Sequence, residues 1–268
     1  MKIGNATIIP VLDGTARLPI ELAAAHRSGS PWSCQHQALD EQGRLRMDIG
    51  TFVVKVGDRT VLVDLGVGPE KIHEAFVTGG LIANLSRTDV APEDVTDVVF
   101  THLHVDHVGW SSVRERPTFP NATYRVHAAD WAHFVTGPLA DPVLDPLVRA
   151  RVEPIAGRVE LFDAETELVP GLIARPAPGH TPGTTVFVVA DAGERALLLG
   201  DVVHTVAELT DPEWEGVADV DVAAANAMRA RLAEELEATG DLFAPAHFPE
   251  LSFGRLVTRD GLRDFRWA

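Results

Sequence analysis

Residues 101–110 read Thr-His-Leu-His-Val-Asp-His-Val-Gly-Trp, which sets three histidines and one carboxylate within six positions as His102-x-His104-x-Asp106-His107. Imidazole nitrogen and carboxylate oxygen together suit a borderline metal such as zinc. His102 and His104 are two apart, so a short extended stretch turns both rings to one side. Asp106 and His107 then need a turn to point elsewhere. One pair on an extended stretch and a second at a bend predict two adjacent metal positions rather than one closed cage. The bland alternative is a polar loop that happens to hold histidines. It must place four metal-capable side chains in this alternation in a chain with only 11 His. Val98–Thr101, a short apolar run, feeds directly into the motif, so the fold must bring a strand end to an edge where further donors can meet it.

Two metals need more ligands than one motif supplies. Ala177-Pro178-Gly179-His180-Thr181-Pro182-Gly183 holds His180 in a tight loop before a strand, and Leu197-Leu198-Leu199-Gly200-Asp201 ends an apolar strand in a carboxylate. Ala244-Pro245-Ala246-His247-Phe248 does the same with His247. Alone, each is weak, because a loop histidine or a strand-end aspartate is more often structural. Together with the first motif they make seven candidate donors.

Strand-like runs recur at Ala6–Leu12 (ending at Asp13-Gly14), Thr51–Val56, Thr60–Asp64, Thr123–His127, Gly171–Arg175, Thr184–Val189 and Ala196–Leu199. Gly57-Asp58 and Asp191-Ala192-Gly193 read as hairpin turns. Helices are expected over Glu70–Thr78, from Pro92, over Ala128–Val135 and over Val222–Ala238, the last ended by Gly240. Residues 16–49 hold few signals and read as a long surface excursion near the pocket or an oligomer interface. No linker or repeat divides the chain, so residues 1–268 are expected to form one domain of mixed strands with outer helices.

The formal net charge is −16, from 39 acidic and 23 basic residues, and no basic run appears, which argues against a nucleic-acid partner. Cys34 is the single cysteine, so neither an internal disulfide nor a sulfur-rich zinc set is possible. The first residues lack the apolar segment of a signal peptide, and no run approaches the ~20 apolar residues of a membrane span. The expectation is a cytoplasmic protein with no membrane partner.

On Asp64 in Leu62-Val63-Asp64-Leu65-Gly66, the His102–His107 motif, His180, Gly200-Asp201 and His247, the chain resembles the metallo-β-lactamase superfamily. The resemblance runs over nearly the whole chain. It implies an α/β (α+β) fold, a four-layer αβ/βα sandwich of two mixed sheets flanked by helices, with metals at the open edge between the sheets. It implies that His102, His104 and His180 bind one ion, that Asp106, His107 and His247 bind the other, and that Asp201 bridges both. Asp64 would orient a ligand histidine; on residues alone it reads equally well as a capped turn. The cofactors implied are two divalent ions, zinc favoured, with iron, manganese and cobalt suited nearly as well.

Two such ions ~3.5–4 Å apart can share a hydroxide at neutral pH. The reaction expected is its attack on a lactone, carboxyl ester or organophosphate ester, with Asp106 accepting a proton and returning it to the leaving group. The partner is then a small-molecule ester or lactone, with room for a homodimer. Zinc β-lactamases do not use a bridging aspartate at the position of Asp201. Nucleic-acid-processing members fit the acidic balance poorly, and di-iron members replace the histidine at position 104 by glutamate. Glyoxalase-II-type thioesterases share all seven donors but bind glutathione through basic residues. The tail arginines Arg255, Arg259, Arg263 and Arg266 match no such pattern. A mononuclear iron sulfur oxygenase would use fewer of the seven.

Val11–Thr15, the Gly200–His204 segment and the ending Gly261–Trp267 are more similar to the branch of N-acyl-homoserine lactonases and methyl parathion hydrolase. Many lactonases have tyrosine three residues after the bridging aspartate. Here His204 stands there, and the only tyrosine is Tyr124. His204 reads either as a donor to the substrate or as a solvated histidine at the rim. Trp32, Trp110, Trp131, Phe134 and Phe248 are candidate pocket walls, or plain core. His26, His36, His73, His127 and His133 have no spacing that ties them to the site.

Overall fold

In the computed structural model, which describes residues 1–268, alternation along the strands sorts side chains into separate cores. Phe52, Val54, Val61 and Val63 face inward against Leu172, Ala174, Phe187, Val189, Ala196 and Leu198 of a second sheet. Their neighbours Val53, Leu62 and Val98 face outward under Leu81, Leu85, Val148 and Val152. On the far side, Val186, Val188, Leu197 and Leu199 face Leu232, Ala233 and Leu236 of the long helix Val222–Thr239. The result is helix, sheet, sheet, helix, the four layers expected. Each fully buried Val, Leu or Phe contributes about 1.5–3 kcal/mol.

The first sheet runs in the order Lys2–Ile3, Ala6–Pro19, Arg44–Val56, Arg59–Val63, Asp97–Val99, Thr123–His127 and Val159–Phe162, with Phe76–Val77 on the Ala6–Pro19 strand. The second runs Thr166–Val169, Leu172–Pro176, Thr185–Asp191, Glu194–Gly200, Leu242–Pro245, Gly254–Arg259 and Leu262–Trp267. Both are mixed, because Arg59–Val63 pairs parallel with Asp97–Val99 and Glu194–Gly200 parallel with Leu242–Pro245. No helix is long and apolar enough to cross a membrane.

Several expectations are corrected. Residues 16–49 are not a loose excursion. Ala6–Pro19 and Arg44–Val56 form one antiparallel ribbon to the pair Pro19↔Arg44, and only residues 20–43 connect. Within that connection Ala24–His26 pairs with Trp214–Gly216, and the Gln37 side chain accepts from Val206 N at 2.7 Å. The strand end expected at Asp13-Gly14 is a bulge in this ribbon, which turns the Asp13 carboxylate inward to accept from Val67 N, Gly68 N, Leu81 N and Trp110 Nε1. No helix forms over Glu70–Thr78. Phe76–Val77 instead pairs with Thr15–Ala16, whose sheet edge offers unpaired backbone groups, and the helix begins beyond Gly80, at Leu81–Leu85. The helix Leu144–Val152 was not anticipated. The long helix matches closely: Asp221 caps it through Ala224 N, and Gly240 ends it at φ 64°.

Candidate metal centre

All seven candidate donors meet where the two sheets come together. His102 Nε2 and His180 Nε2 each lie 3.0 Å from His104 Nδ1. Asp201 Oδ2 lies 3.8 Å from His102 Nε2 and 3.6 Å from His180 Nε2. On the other side, His107 Nε2 is 3.8 Å from Asp106 Oδ1 and 3.4 Å from Asp201 Oδ1, while His247 Nε2 is 3.6 Å from Asp106 Oδ2. Asp201 thus turns Oδ1 toward one group and Oδ2 toward the other, although Oδ2 is also 3.1 Å from His247 Nε2. His102, His107, His180, Asp201 and His247 are buried; His104 and Asp106 are half-buried and form the open side.

The donor set fits two ions. His107 Nε2 and Asp201 Oδ1 are buried with no hydrogen-bond partner, a costly state for polar atoms unless a cation is placed between them. The nitrogens of the first group are about as close as donors around a tetrahedral zinc, where bonds of ~2.0–2.1 Å imply about 3.3 Å between ligands. Burial, reinforced by neighbouring rings, holds His102 and His104 well below the ordinary histidine range, and burial lowers His180 as well. Neutral imidazole is the form that binds metal. For His107 and His247, burial is outweighed by the pull of nearby carboxylates, Asp201 foremost, and both are raised.

The nitrogen opposite each buried donor is fixed. His107 Nδ1 faces Asp64 Oδ2 at 2.9 Å, His180 Nδ1 faces Asp219 Oδ1 at 3.1 Å, and His247 Nδ1 faces the Asp48 carbonyl at 3.0 Å. With the other nitrogen kept as a lone pair for metal, each of these Nδ1–H groups donates. Asp64 reaches further: Thr101 Oγ1 donates to its Oδ2 at 2.7 Å and lies 3.1 Å from His102 Nδ1. It also accepts from Thr101 N at 2.8 Å, and its backbone is left-handed at φ 61°. A non-glycine residue held there stores about 1–3 kcal/mol of strain, a cost that clusters at functional sites.

At the floor of the site the sheets touch. Thr185 N donates to the Thr101 carbonyl at 2.8 Å, and a Cβ added to Gly200 would come within 2.5 Å of Thr101 Cβ. Asp130 clamps the two ligand loops: its carboxylate accepts from Leu103 N at 3.0 Å, Gly183 N at 2.6 Å and Thr181 Oγ1 at 3.0 Å. Burial pushes its pKa up to about 6.

His204 is not a solvated rim residue. It is 5% exposed, with Nε2 3.3 Å from Asp201 Oδ2 and Nδ1 3.5 Å from Glu208 Oε1. Among the candidate walls only Phe134 packs edge-on to a donor ring, that of His104, at 5.5 Å. Trp110 is tied to Asp13, Phe248 lies fully buried in the core beneath the long helix, and Trp32 packs on Trp214. Tyr124 is buried in the outer core of the first sheet, hydrogen-bonded to the Phe119 carbonyl.

The family model described as the metallo-beta-lactamase superfamily matches residues 50–254. The chain belongs to the metallo-beta-lactamase superfamily. An N-acyl homoserine lactonase of Bacillus cereus is 21% identical over 198 residues, 67% of this chain and 73% of that protein. A dizinc quorum-quenching lactonase solved in complex with a product superposes with TM-score 0.83 at 21% identity, over 100% of this chain and 95% of the other. A hydrolase described as in the beta lactamase superfamily also gives 0.83, at 23% identity, over 100% and 95%. Both structural likenesses bear on the fold. Superfamily membership and the clustered donors together mark the chain as a metal-dependent hydrolase.

Sequence reading missed Thr101, Asp130, Asp219 and Asp48. Thr101 stood inside the motif, directly before His102. Asp130 and Asp219 are two among 39 acidic residues and carry no local signal. Asp48 meets His247 through its carbonyl, a group every residue has.

Proposed function

We propose that the protein is a two-metal hydrolase that opens lactones, with carboxyl and phosphoric esters as related substrates. The observation that carries this reading is the arrangement of seven donors into two groups sharing one carboxylate, Asp201. His102, His104 and His180 would hold one ion, Asp106, His107 and His247 the other. When bound, two divalent ions supply an activated water and polarise the oxygen of the scissile group.

The chain's own residues do the rest. Asp106, on the open side, takes the proton released as water adds and returns it to the leaving oxygen. His204 presents Nε2 beside Asp201, backed by Glu208, and donates to the substrate oxygen where many lactonases place a tyrosine. Asp64 and Asp219 hold ligand imidazoles in the tautomer that leaves the inner nitrogen free. A lactone is favoured by the lactonase relatives, which bear on this proposal alone.

A thioesterase reading gains no support from the tail arginines. Arg263 pairs with Glu237 at 2.7 Å and Arg259 with Asp264 at 3.5 Å, on a hairpin at the edge of the second sheet. The test is metal analysis combined with turnover on lactones, aryl esters, aryl phosphotriesters and S-lactoylglutathione. We expect two ions per chain and fastest turnover on a lactone. His104→Ala should lose metal and activity together; retained activity in that variant would overturn the assignment.

A further inference from the structure

The long helix Val222–Thr239 buries Ala225, Arg229, Leu232, Ala233 and Leu236 on one face. An arginine in an apolar stripe is out of place, because a buried guanidinium loses its hydration and needs well-placed partners in return. Arg229 is 3% exposed, and its partners lie behind the metal centre. Nη2 donates to Asp219 Oδ2 at 2.7 Å and to Asn226 Oδ1 at 2.6 Å. Nη1 donates to the Val202 carbonyl at 3.3 Å, next to Asp201, and lies 3.5 Å from Glu208 Oε1.

The two carboxylates each back an imidazole. Asp219 meets His180 through its other oxygen at 3.1 Å. Glu208 lies 3.5 Å from His204 Nδ1 and accepts from His204 N and Thr205 N through Oε2, at 2.8 and 2.7 Å. Both imidazoles face the same atom, Asp201 Oδ2, at 3.6 Å for His180 and 3.3 Å for His204. A closed ring of charged and polar groups therefore runs Asp201, His180, Asp219, Arg229, Glu208, His204 and back to Asp201.

We propose that Arg229 is a positioning residue that locks the metal-facing His180 and the substrate-facing His204 into one rigid unit around Asp201, through Asp219 and Glu208. The inference rests on the two-metal reading, since it concerns the groups that hold that centre. A plain helix anchor would need only apolar contact. This side chain spends its fork on the Asp219 carboxylate, the Asn226 amide oxygen and a carbonyl of the Asp201 loop, with the Glu208 carboxylate 3.5 Å away. Without the guanidinium, Asp219 loses the charge that fixes its rotamer, and His180 loses an oriented acceptor. The effect falls first on the ion held by His102, His104 and His180. His107 and His247 are backed by Asp64 and the Asp48 carbonyl, which Arg229 does not touch.

The test reloads metal-stripped protein with cobalt(II). Chelator competition gives the two stepwise affinities, and proton NMR reads the hyperfine-shifted imidazole N–H signals. Asp219→Asn and Asp64→Asn identify the His180 and His107 signals. In Arg229→Gln we expect affinity for one ion to fall about 10–100-fold. The His180 N–H signal should move or exchange away, while the His107 signal and the other ion stay. Arg229→Lys, which keeps the charge without the fork, should restore part of the loss. Unchanged affinities and signals in folded Arg229→Gln would overturn the proposal, as would equal loss of both ions with a general fall in melting temperature. Should Arg229→Gln fail to fold, a double-mutant cycle of Asp219→Asn with Glu208→Gln replaces it. Both also reach Asp201 through His180 and His204, so the cycle is repeated in Arg229→Lys: coupling in cobalt affinity that shrinks there supports the tie, and additivity or undiminished coupling overturns it. Wild-type protein that takes up fewer than two cobalt ions fails the two-metal reading itself, and the proposal with it.

Discussion

Asp64 and Asp219 do the same work for His107 and His180, yet they are held in place by opposite means. Asp64 sits at the end of a first-sheet strand, in a left-handed backbone conformation, and its carboxylate is fixed by the neutral donors of Thr101. Asp219 sits in the connection between the short strand Trp214–Gly216 and the long helix, and is fixed by a buried cation from that helix. The His107 side of the centre is therefore built from backbone geometry and the His180 side from charge. Backbone positioning is local and reads through to neighbouring residues. Charge positioning needs partners far apart in sequence.

The comparison can be broken most sharply at these two carboxylates. Asp64→Asn and Asp219→Asn should each cost about 10–100-fold in metal affinity, but at different ions. Stepwise chelator titration should find the His107-side ion loosened in the first variant and the His180-side ion in the second. Loss of the same ion in both would mean the halves are not separable.

A smaller effect is expected at Asp130, which joins the two ligand loops. Burial raises its pKa to about 6, above the ~3.9 of an unfolded aspartate. Its folded-state proton affinity is the higher one, so it contributes stability below pH ~4 that is lost as pH rises through about 6. Urea midpoints of the metal-free protein between pH 4 and 7 should show this fall. Asp130→Asn should flatten it and weaken metal binding at neutral pH, because Asn cannot accept all three hydrogen bonds.

The smallest effect on the centre is expected at Asp97, which is buried against Arg59 and Arg125 in the first sheet. Burial alone would raise its pKa, but hydrogen bonds from Arg59, Thr96 and Arg125 hold it below the ordinary range. The sign is opposite to Asp130: stability is present above pH ~4 and lost as pH falls further. Asp97→Asn should cost about 3 kcal/mol of unfolding free energy. Two-ion affinity and turnover should stay at wild-type values; a drop in either would show that the sheet interior feeds the site.

Much of the site was legible because its donors sit at strand ends with distinctive chemistry. Histidine spacing needs no tertiary information, and neither does the cap-to-Gly240 span of the long helix. The Glu70–Thr78 helix failed for the converse reason, since that segment is claimed by the edge of a strand more than fifty residues earlier. Residues 16–49 read as loose because their pairing runs between Ala6–Pro19 and Arg44–Val56, across an intervening connection. Arg229 in its apolar stripe is an anomaly visible in the sequence, but its meaning needs Asp219 and Glu208, ten and twenty-one positions away.

The contact between Gly200 and Thr101 has an evolutionary side. The Gly200 backbone pressed against the Thr101 side chain beneath the donors leaves no slack, so the separation of the two donor groups is inherited from the scaffold rather than negotiated by the ligand side chains. Variation is then free only above, around the open side formed by His104 and Asp106 and along the connections that rise from each sheet. A lineage built on such a floor can trade one ester for another by redrawing its rim while the reacting centre stays as it was.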